Sequence, residues 1–551
     1  MSLRNVTRNL AVGIATGAVL IAAQAVQAAD ERGSVQGVVT NASGQPVIGA
    51  YVKLKNAERR LTFMVPSQDQ GRFEAKDLPA GDYTVQGVGG DFQSASASVK
   101  VGANAAAKSD VTLTVHRGAM LPPAWPLRIP EADADKAPKD WQALPEAGDK
   151  ALVAQTCTSC HDVQRILVKR ADHDMWDHIV HRMKARMSAA GQPVVKDDDA
   201  KKIVDYLAKN FPPIQAYDGN SRLPTTLQAG KGLKYRAVTY DLKDSYAEPH
   251  DVASDPQGNA WVGERAGKVG KFDPRTLEFV EIKTPPGPAP EPLQSLGNPQ
   301  IDARGIMWVP DGPNKRWLAF DTKTEQFTAY AWPNNMPGGA GGNSFALHPN
   351  GTVWGTGANK EVRVLDPNTV TFKAYQSPSA KPGTPLPGAY GLAVAGDGSV
   401  WWAEDEADKM ARVDPATGVV EEFKIPYSDG HAFPRRMNTD ANGDLWVALW
   451  NAGKLMKIDH KTKQMTIYSP PSKTGGNYSV VVDKKGGYIW VSEHQVDKIA
   501  RFDPRTEEWV EFPLPDAESD PRRLDIDPTN SNRIFFAGNT PGRVGFVEVL
   551  P

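Results

Sequence analysis

The chain has 551 residues, with 63 Lys+Arg against 65 Asp+Glu and a formal net charge of -2, so no basic excess points to nucleic acid and no acidic tail stands out. That length exceeds what one hydrophobic core serves, so several domains are expected. The 49 Gly, 44 Pro and 14 Trp favour many short strands joined by turns, and only two cysteines are present, which excludes a disulfide-stapled scaffold.

The chain starts with Arg4 and Arg8, an apolar run from Leu10 to Ala23, and the small residues around Val26-Gln27-Ala28. Residues 1–29 therefore read as a signal peptide cleaved after Ala28 or Ala29. The apolar run is shorter than the roughly 20 residues that cross a bilayer. The expected mature protein is periplasmic, with no transmembrane segment.

Residues 33–116 alternate apolar and polar side chains, as in Val35-Gln36-Gly37-Val38 and Tyr83-Thr84-Val85-Gln86, with turns such as Ser43-Gly44-Gln45-Pro46 between them. That pattern predicts a small antiparallel β-sandwich. The runs Gly44-Gln45-Pro46-Val47-Ile48-Gly49-Ala50, Gly71-Arg72-Phe73 and Leu78-Pro79-Ala80-Gly81-Asp82-Tyr83 resemble a carboxypeptidase regulatory-like domain. The resemblance implies an Ig-like accessory module without catalytic residues. Residues 117–145, rich in Pro and Ala, read as a linker in which Trp125 and Trp141 seek burial.

Residues 146–215 hold Cys157-Thr158-Ser159-Cys160-His161, the C-x-x-C-H spacing of covalent c-type haem attachment. Two thiols one turn apart add to the haem vinyl groups, and the adjacent histidine ligates the iron. A zinc site would want four protein ligands, and no second cysteine pair exists. Helices are expected over Lys150–Gln155, Asp174–Met187 and Asp198–Asn210, an all-α arrangement around one haem c. The run Cys157…His161, Trp176, Arg182-Met183 and Ile203-Val204-Asp205-Tyr206-Leu207 resembles the small cytochrome c domains that accompany periplasmic dehydrogenases. The sixth iron ligand is Met183, which shares a helical face with Trp176, Ile179 and Val180, or else Met187.

From 230 to 551 the sequence repeats. Trp261, Trp308, Trp354, Trp401, Trp446, Trp490 and Phe535 are separated by 47, 46, 47, 45, 44 and 45 residues, and Asp273, Asp321, Asp366, Asp414, Asp459 and Asp503 follow 12 or 13 positions after the first six. Four strands per ~45 residues is a propeller blade, so seven blades are expected. The last unit lacks its outer strand, and the unpaired strand Tyr235–Leu242 should complete it and remove both edges. The expected fold is thus mostly β and multidomain: an Ig-like sandwich, a small all-α cytochrome c domain and a seven-bladed β-propeller.

Aligned on the aromatics, the units place His250, Asn343, Tyr390, Arg435, Tyr478 and Arg522 where each innermost strand begins, with Gly297 or Asn298 in the offset second unit. Glu264, Asp311, Gly357, Glu404, Leu449, Glu493 and Gly538 follow each aromatic by three. Both sets vary where a purely structural position would repeat, which suggests a channel-mouth site. Arg435-Arg436 and Arg522-Arg523 suit a carboxylate or phosphate, unless Glu404 and Glu493 pair with them. Glu248-Pro249-His250-Asp251-Val252, Trp261-Val262-Gly263-Glu264 and Trp490-Val491-Ser492-Glu493 resemble the virginiamycin B (streptogramin) lyase propeller. That family is seven-bladed, binds magnesium and opens a lactone by elimination. The resemblance implies metal and general-base roles for Glu248, His250 and Glu264, with Mg²⁺ or another divalent cation as a second cofactor. The family's second histidine is replaced here by Arg522, and its tyrosine falls on Gly297 or Asn298.

Two function classes result. In the first, the propeller binds a small polar or anionic substrate or a redox partner, with His250, Glu264, Arg435, Arg522, Tyr390 and Tyr478 as its working residues, and the haem passes electrons to a periplasmic partner. In the second, the chain is a metal-dependent elimination enzyme. A haem-bearing binding protein without turnover is the third reading.

Overall fold

A computed structural model describes residues 32–118, 120, 144–157, 166, 170–189, 194–212 and 219–551, the last range without 246, 266, 289–295, 337–343, 358–360, 382–387, 474 and 540. The expected signal peptide, both linker tryptophans, Cys160, His161 and Asn343 lie outside the described residues. The chain forms two compact units, one built mainly from the residues up to Arg117 and the other mainly from Gly118 onward.

The first unit is mostly β. One sheet is centred on Arg32–Asn41, which pairs antiparallel with Arg72–Pro79 and parallel with Ala106–Lys108 and Val111–Leu113. A second sheet pairs Tyr51–Asn56 with Leu61–Pro66 on one side and Gly81–Gly89 on the other. The alternating residues Val35, Val39, Val52, Leu54, Phe73, Tyr83 and Val85 are buried between them, as period-2 patterning requires. The Tyr83 hydroxyl donates to Pro79 O at 2.8 Å, so its buried polar tip is satisfied.

The second unit begins with three helices, the only α-helices among the described residues: α1 (Lys150–Cys157), α2 (His173–Ala189) and α3 (Asp197–Asn210). Ala200, Ile203, Val204 and Leu207 of α3 pack with Val153, Trp176 and Val180 in one apolar cluster. The three acidic residues of the first turn of α3 suit its helix dipole. Each predicted helix is present within two residues of its expected limits.

The remainder is a propeller of seven blades, the first six of them four-stranded antiparallel sheets. Six are contiguous hairpin series, from Pro249–Lys283 to Asn477–Pro513. The seventh joins Pro521–Asp527, Asn530–Gly538 and Arg543–Val549 to the strand Tyr235–Asp241. Leu242 N–H donates to Gly542 O at 3.0 Å, and Arg543 Nε donates to Asp241 at 2.8 Å, so the two ends of the segment close the ring as expected. No sheet closes on itself into a barrel.

Repeat chemistry explains the repeat residues. Trp354, Trp401 and Trp446 stack on Tyr375, Phe423 and Tyr468 of the outermost strand, at 5.5, 5.2 and 5.6 Å between ring centroids. The recurring aspartates cap the hairpin between the third and fourth strands. Asp321, Asp366, Asp414 and Asp459 each accept the backbone N–H two residues on at 2.9 Å. That is the Asx-turn geometry a short polar side chain supplies.

Candidate functional site

The innermost strands begin with one device repeated around the ring. Glu248, Phe433 and Asp520 adopt φ of 49°, 52° and 44°, and Gly388 and Gly476 adopt 99° and 61°. In Glu248, Phe433 and Asp520 this left-handed turn stands just before a proline. A β-bulge follows in the first, fifth, sixth and seventh blades, between Pro249 and Asp251, Pro434 and Met437, Asn477 and Ser479, and Pro521 and Leu524. Bulges re-aim side chains and are frequent beside functional sites. Here the residues inside them are His250, Arg435-Arg436, Tyr478 and Arg522-Arg523. In the second blade Asn298 itself is left-handed, at φ 65°, and Gln300 two residues on lines the channel cavity.

These side chains meet at the mouth. The Tyr390 and Tyr478 hydroxyls are hydrogen-bonded to each other. Tyr478 Oη lies 3.4 Å from His250 Nε2, which also accepts a hydrogen bond from Arg522 Nη1 at 3.2 Å. A guanidinium can only donate, so Nε2 carries the lone pair and His250 Nδ1–H donates to Asp251 Oδ1 at 3.0 Å. The other Asp251 oxygen accepts from Arg436 Nη2 at 2.7 Å, and Arg436 also reaches Ser344 at 3.0 Å and Asn298. Burial holds the His250 imidazole down at about 3, so it stays neutral. Arg436 and His250 outweigh the burial of Asp251 and keep it ionised.

Arg435 is held in an aromatic box. Its guanidinium lies 4.2 Å from the Tyr390 ring centroid, 4.4 Å from Phe433 and 5.1 Å from Trp450, and donates to Asp405 at 3.3 Å. Its buried Nε has no hydrogen-bond partner among the described residues. Arg522 donates to Asp520 at 3.0 Å, Asp520 accepts from His494 Nδ1 at 2.8 Å, and Trp450 Nε1 donates to His494 Nε2 at 2.6 Å. The carboxylates that pair with the arginines are therefore Asp405 and Asp520, not Glu404 and Glu493. Below Arg436 and Arg523 a cavity of about 230 Å³ continues along the axis, lined by Ser344, Asn438, Ser479 and Asp525 among others.

Glu248, His250 and Glu264 do not converge. Glu248 faces Arg265 at 3.5 Å and His178 of α2 at 3.8 Å. Glu264 sits at the same end of the blade, opposite Pro249, but one strand further from the axis. It is register partner of Lys268, whose ammonium binds Glu281 at 2.8 Å. Glu404 and Glu493 repeat this arrangement with Lys409–Glu422 and Lys498–Glu511. Burial raises the three carboxyls to about 8, 7 and 8 respectively. The variation three residues past each aromatic thus belongs to the blade interior rather than the channel. Arg522 fills the space beside His250 Nε2, and among the described residues no group of three His, Cys, Asp or Glu is arranged to hold a metal. The donor set does not fit a divalent cation.

Residues missed in the sequence are Asp251, Asp405, Asp520, His494, Trp450 and Arg265. Asp251 and Asp520 adjoin picked residues, directly or across the proline of Asp520-Pro521-Arg522. A search of the neighbours of each bulge would have found them.

Of the residues expected to hold haem, Cys157 ends α1, half-buried against the apolar helical cluster, and burial pushes its thiol up to about 11. Met183 and Met187 are half-buried on α2. An apolar wall beside a thiol at a helix end suits a macrocycle bound there; Cys160 and His161 lie outside the described residues. The His178–Glu248 contact sets α2 against the channel face, and Arg222, following the helical segment, pairs with buried Asp497 at 3.0 Å.

Residues 34–114 match the carboxypeptidase regulatory-like domain, and residues 305–550 match the Virginiamycin B lyase family. The chain therefore contains a carboxypeptidase regulatory-like domain and a virginiamycin B lyase-like propeller. Among solved structures, virginiamycin B lyase from Staphylococcus aureus is 17% identical over 57% of this chain and 100% of its own, with a TM-score of 0.50. A streptogramin B lyase is 18% identical over 58% and 100%, with a TM-score of 0.51. A catalytically inactive S. aureus virginiamycin B lyase with quinupristin is 16% identical over 57% and 100%, with a TM-score of 0.50. At these identities the likeness is one of fold. No curated protein matches the chain in sequence.

Proposed function

We propose that this chain is an exported, haem c-bearing oxidoreductase whose propeller mouth binds a small organic anion and whose helical segment carries its electrons to a periplasmic partner. The observation that carries the reading is the seat of α2 on the channel face, through His178 and Glu248, the latter two residues before His250. Cys157 and Cys160 would hold the haem by thioethers, His161 would ligate the iron, and Met183, or Met187 in its place, would be the second axial ligand. The haem supplies a one-electron acceptor.

The chain's own residues do the rest. Arg435 is buried in the aromatic box and half-buried Arg522 is locked by Asp520, so they can orient a carboxylate or phosphate without reorganising. Each is charge-paired, so the site selects by directed N–H donors rather than by a large net field.

The test is to mix oxidised protein with a panel of small carboxylates and phosphate esters and to follow haem reduction. One class of anion should reduce wild type and fail at least tenfold with Arg522→Gln at unchanged haem content. Reduction by none, or equally by both proteins, overturns the reading. The match of residues 305–550 favours a second reading, elimination on a cyclic ester. Turnover of a streptogramin B lactone without any change in the haem spectrum would establish it instead.

A further inference from the structure

A strand turns alternate residues to one side, and a bulge lets two neighbours reach the same side at different depths. In the fifth and seventh blades the bulges between Pro434 and Met437 and between Pro521 and Leu524 do this with paired arginines. Arg435 and Arg522 belong to the mouth. Arg436 and Arg523 line the axial cavity of about 230 Å³ below it, and Asn438 and Asp525 follow them two residues further along the same strands. At roughly 30 Å³ per water, that volume holds several waters or an ion with part of its shell.

The wall is rich in donors. Ser344 and Ser479 line the cavity and are buried. Ser344 Oγ accepts from Arg436 Nη1 at 3.0 Å, and Ser479 Oγ accepts from the Leu524 N–H at 3.3 Å. Each hydroxyl therefore keeps its own hydrogen to give, and neither gives it to an acceptor among the described residues. Asn438 Oδ1 accepts the Thr439 N–H at 2.9 Å, which leaves its amide hydrogens as donors. Asp525, the carboxylate among the described lining residues, is turned to the wall. One of its oxygens accepts from Ser254 N–H and Oγ at 2.7 and 3.0 Å, and the other accepts from the Ile526 N–H at 2.9 Å.

Charge leans the same way. Arg436, Arg523 and exposed Lys484 line the cavity as cations. Against them stand Asp525 and Asp251, which Arg436 grips at 2.7 Å. The balance is an excess of at least one positive charge, since burial raises Asp525 toward its neutral form. Burial and the like charge of Arg436 bring the Arg523 guanidinium down to about 10, so the two guanidiniums strain against each other in this space.

We propose that the axial cavity is an inorganic-anion site, taking a small monoanion such as chloride between Arg436 and Arg523, with the two serine hydroxyls and the Asn438 amide as its neutral donors. It is separate from the mouth and rests on neither the redox nor the organic-anion reading. Arg436 joins the two places, because its Nη2 holds Asp251, which in turn takes the His250 Nδ1–H at 3.0 Å. The ion offsets the repulsion between the guanidiniums and so steadies the floor of the mouth.

Chlorine-35 NMR of the intact protein in dilute chloride tests this in solution. Excess line width should appear with wild type and be removed by nitrate, with sulfate at least tenfold less effective. Arg523→Gln should cut the excess at least fivefold, and Ser479→Ala, a milder change, at least twofold. Arg522→Gln should keep it, because that residue serves the mouth. No excess with wild type, an equal excess in Arg523→Gln, or a loss confined to Arg522→Gln overturns the proposal. A crystal of unsubstituted protein soaked in bromide removes any doubt about folding of the variants. Its anomalous signal should lie between Arg436 and Arg523, and waters alone there, or bromide only beside Arg435 and Arg522, overturn the proposal as well.

Discussion

At the scale of single residues, the mouth works by fixing side chains in advance. Arg435 stands between three aromatic rings and a buried carboxylate, a setting in which a guanidinium stacks and a lysine ammonium cannot. Arg435→Lys keeps the charge and loses the stacking, so it should cost about 1–2 kcal/mol in chemical denaturation and weaken anion binding. An unchanged midpoint would show that the box contributes packing alone. The proposed sixth haem ligand is a second matter of single residues. Met183→Ala should abolish the weak sulfur-to-iron band at the red end of the oxidised spectrum. If that band persists and Met187→Ala removes it, Met187 is the ligand.

At the scale of the element, each blade is a hairpin series in which the same positions carry the same loads. Tryptophan on the second strand, its aromatic partner on the fourth and the Asx-turn aspartate between them are packing and turn chemistry, so they repeat. The buried Glu264, Glu404 and Glu493 are a different kind of repeat. Burial raises all three carboxyls. For Glu493 the ordinary value of 4.5 becomes about 8 in the folded chain. Below pH 4.5 folded and unfolded chains both hold the proton. Between 4.5 and about 8 only the unfolded chain gives it up, so stability falls as pH rises through that window and levels off above it. Glu493→Gln should therefore match wild type in melting temperature at pH 4.5 and exceed it increasingly toward pH 8. A variant less stable than wild type at pH 8 would show an ionised Glu493 paired with Lys498.

At the scale of the second unit, the polar contacts that tie the helical segment to the propeller include His178 with Glu248 and Arg222 with Asp497. Glu248 also takes Arg265, so it links α2 to the arginines of the mouth. On the proposed redox function, His178→Ala should leave haem content unchanged and slow substrate-driven haem reduction at least tenfold, because the proposed haem acceptor would no longer be held at the channel face. Equal rates would mean that electrons leave the site by another route. Covalent attachment is checked separately. Acid-acetone should fail to extract haem from wild type, and Cys157→Ala should lose the covalent adduct.

The sequence by itself determined what local chemistry repeats. Alternation located the sandwich, a helical period located α1 to α3, and seven aromatics at a ~45-residue spacing located the blades and the strand that closes them, because burial of a face leaves a period in the chain. His250, Tyr390, Arg435, Tyr478 and Arg522 could be picked out as well, since they vary at a position that should repeat. Only the tertiary structure decided what these residues do. Glu264 lay at the right distance along the chain, yet strand register puts it one strand away from the axis, beside Lys268. The pairing of Asp405 and Asp520 with the arginines and the meeting of Tyr390 with Tyr478 join blades 30 to 88 residues apart in sequence or hang on a single left-handed turn. A periodic pattern records which face a residue presents, whereas closure of the ring decides which residues from different blades share one small volume, and a pKa is set by that volume.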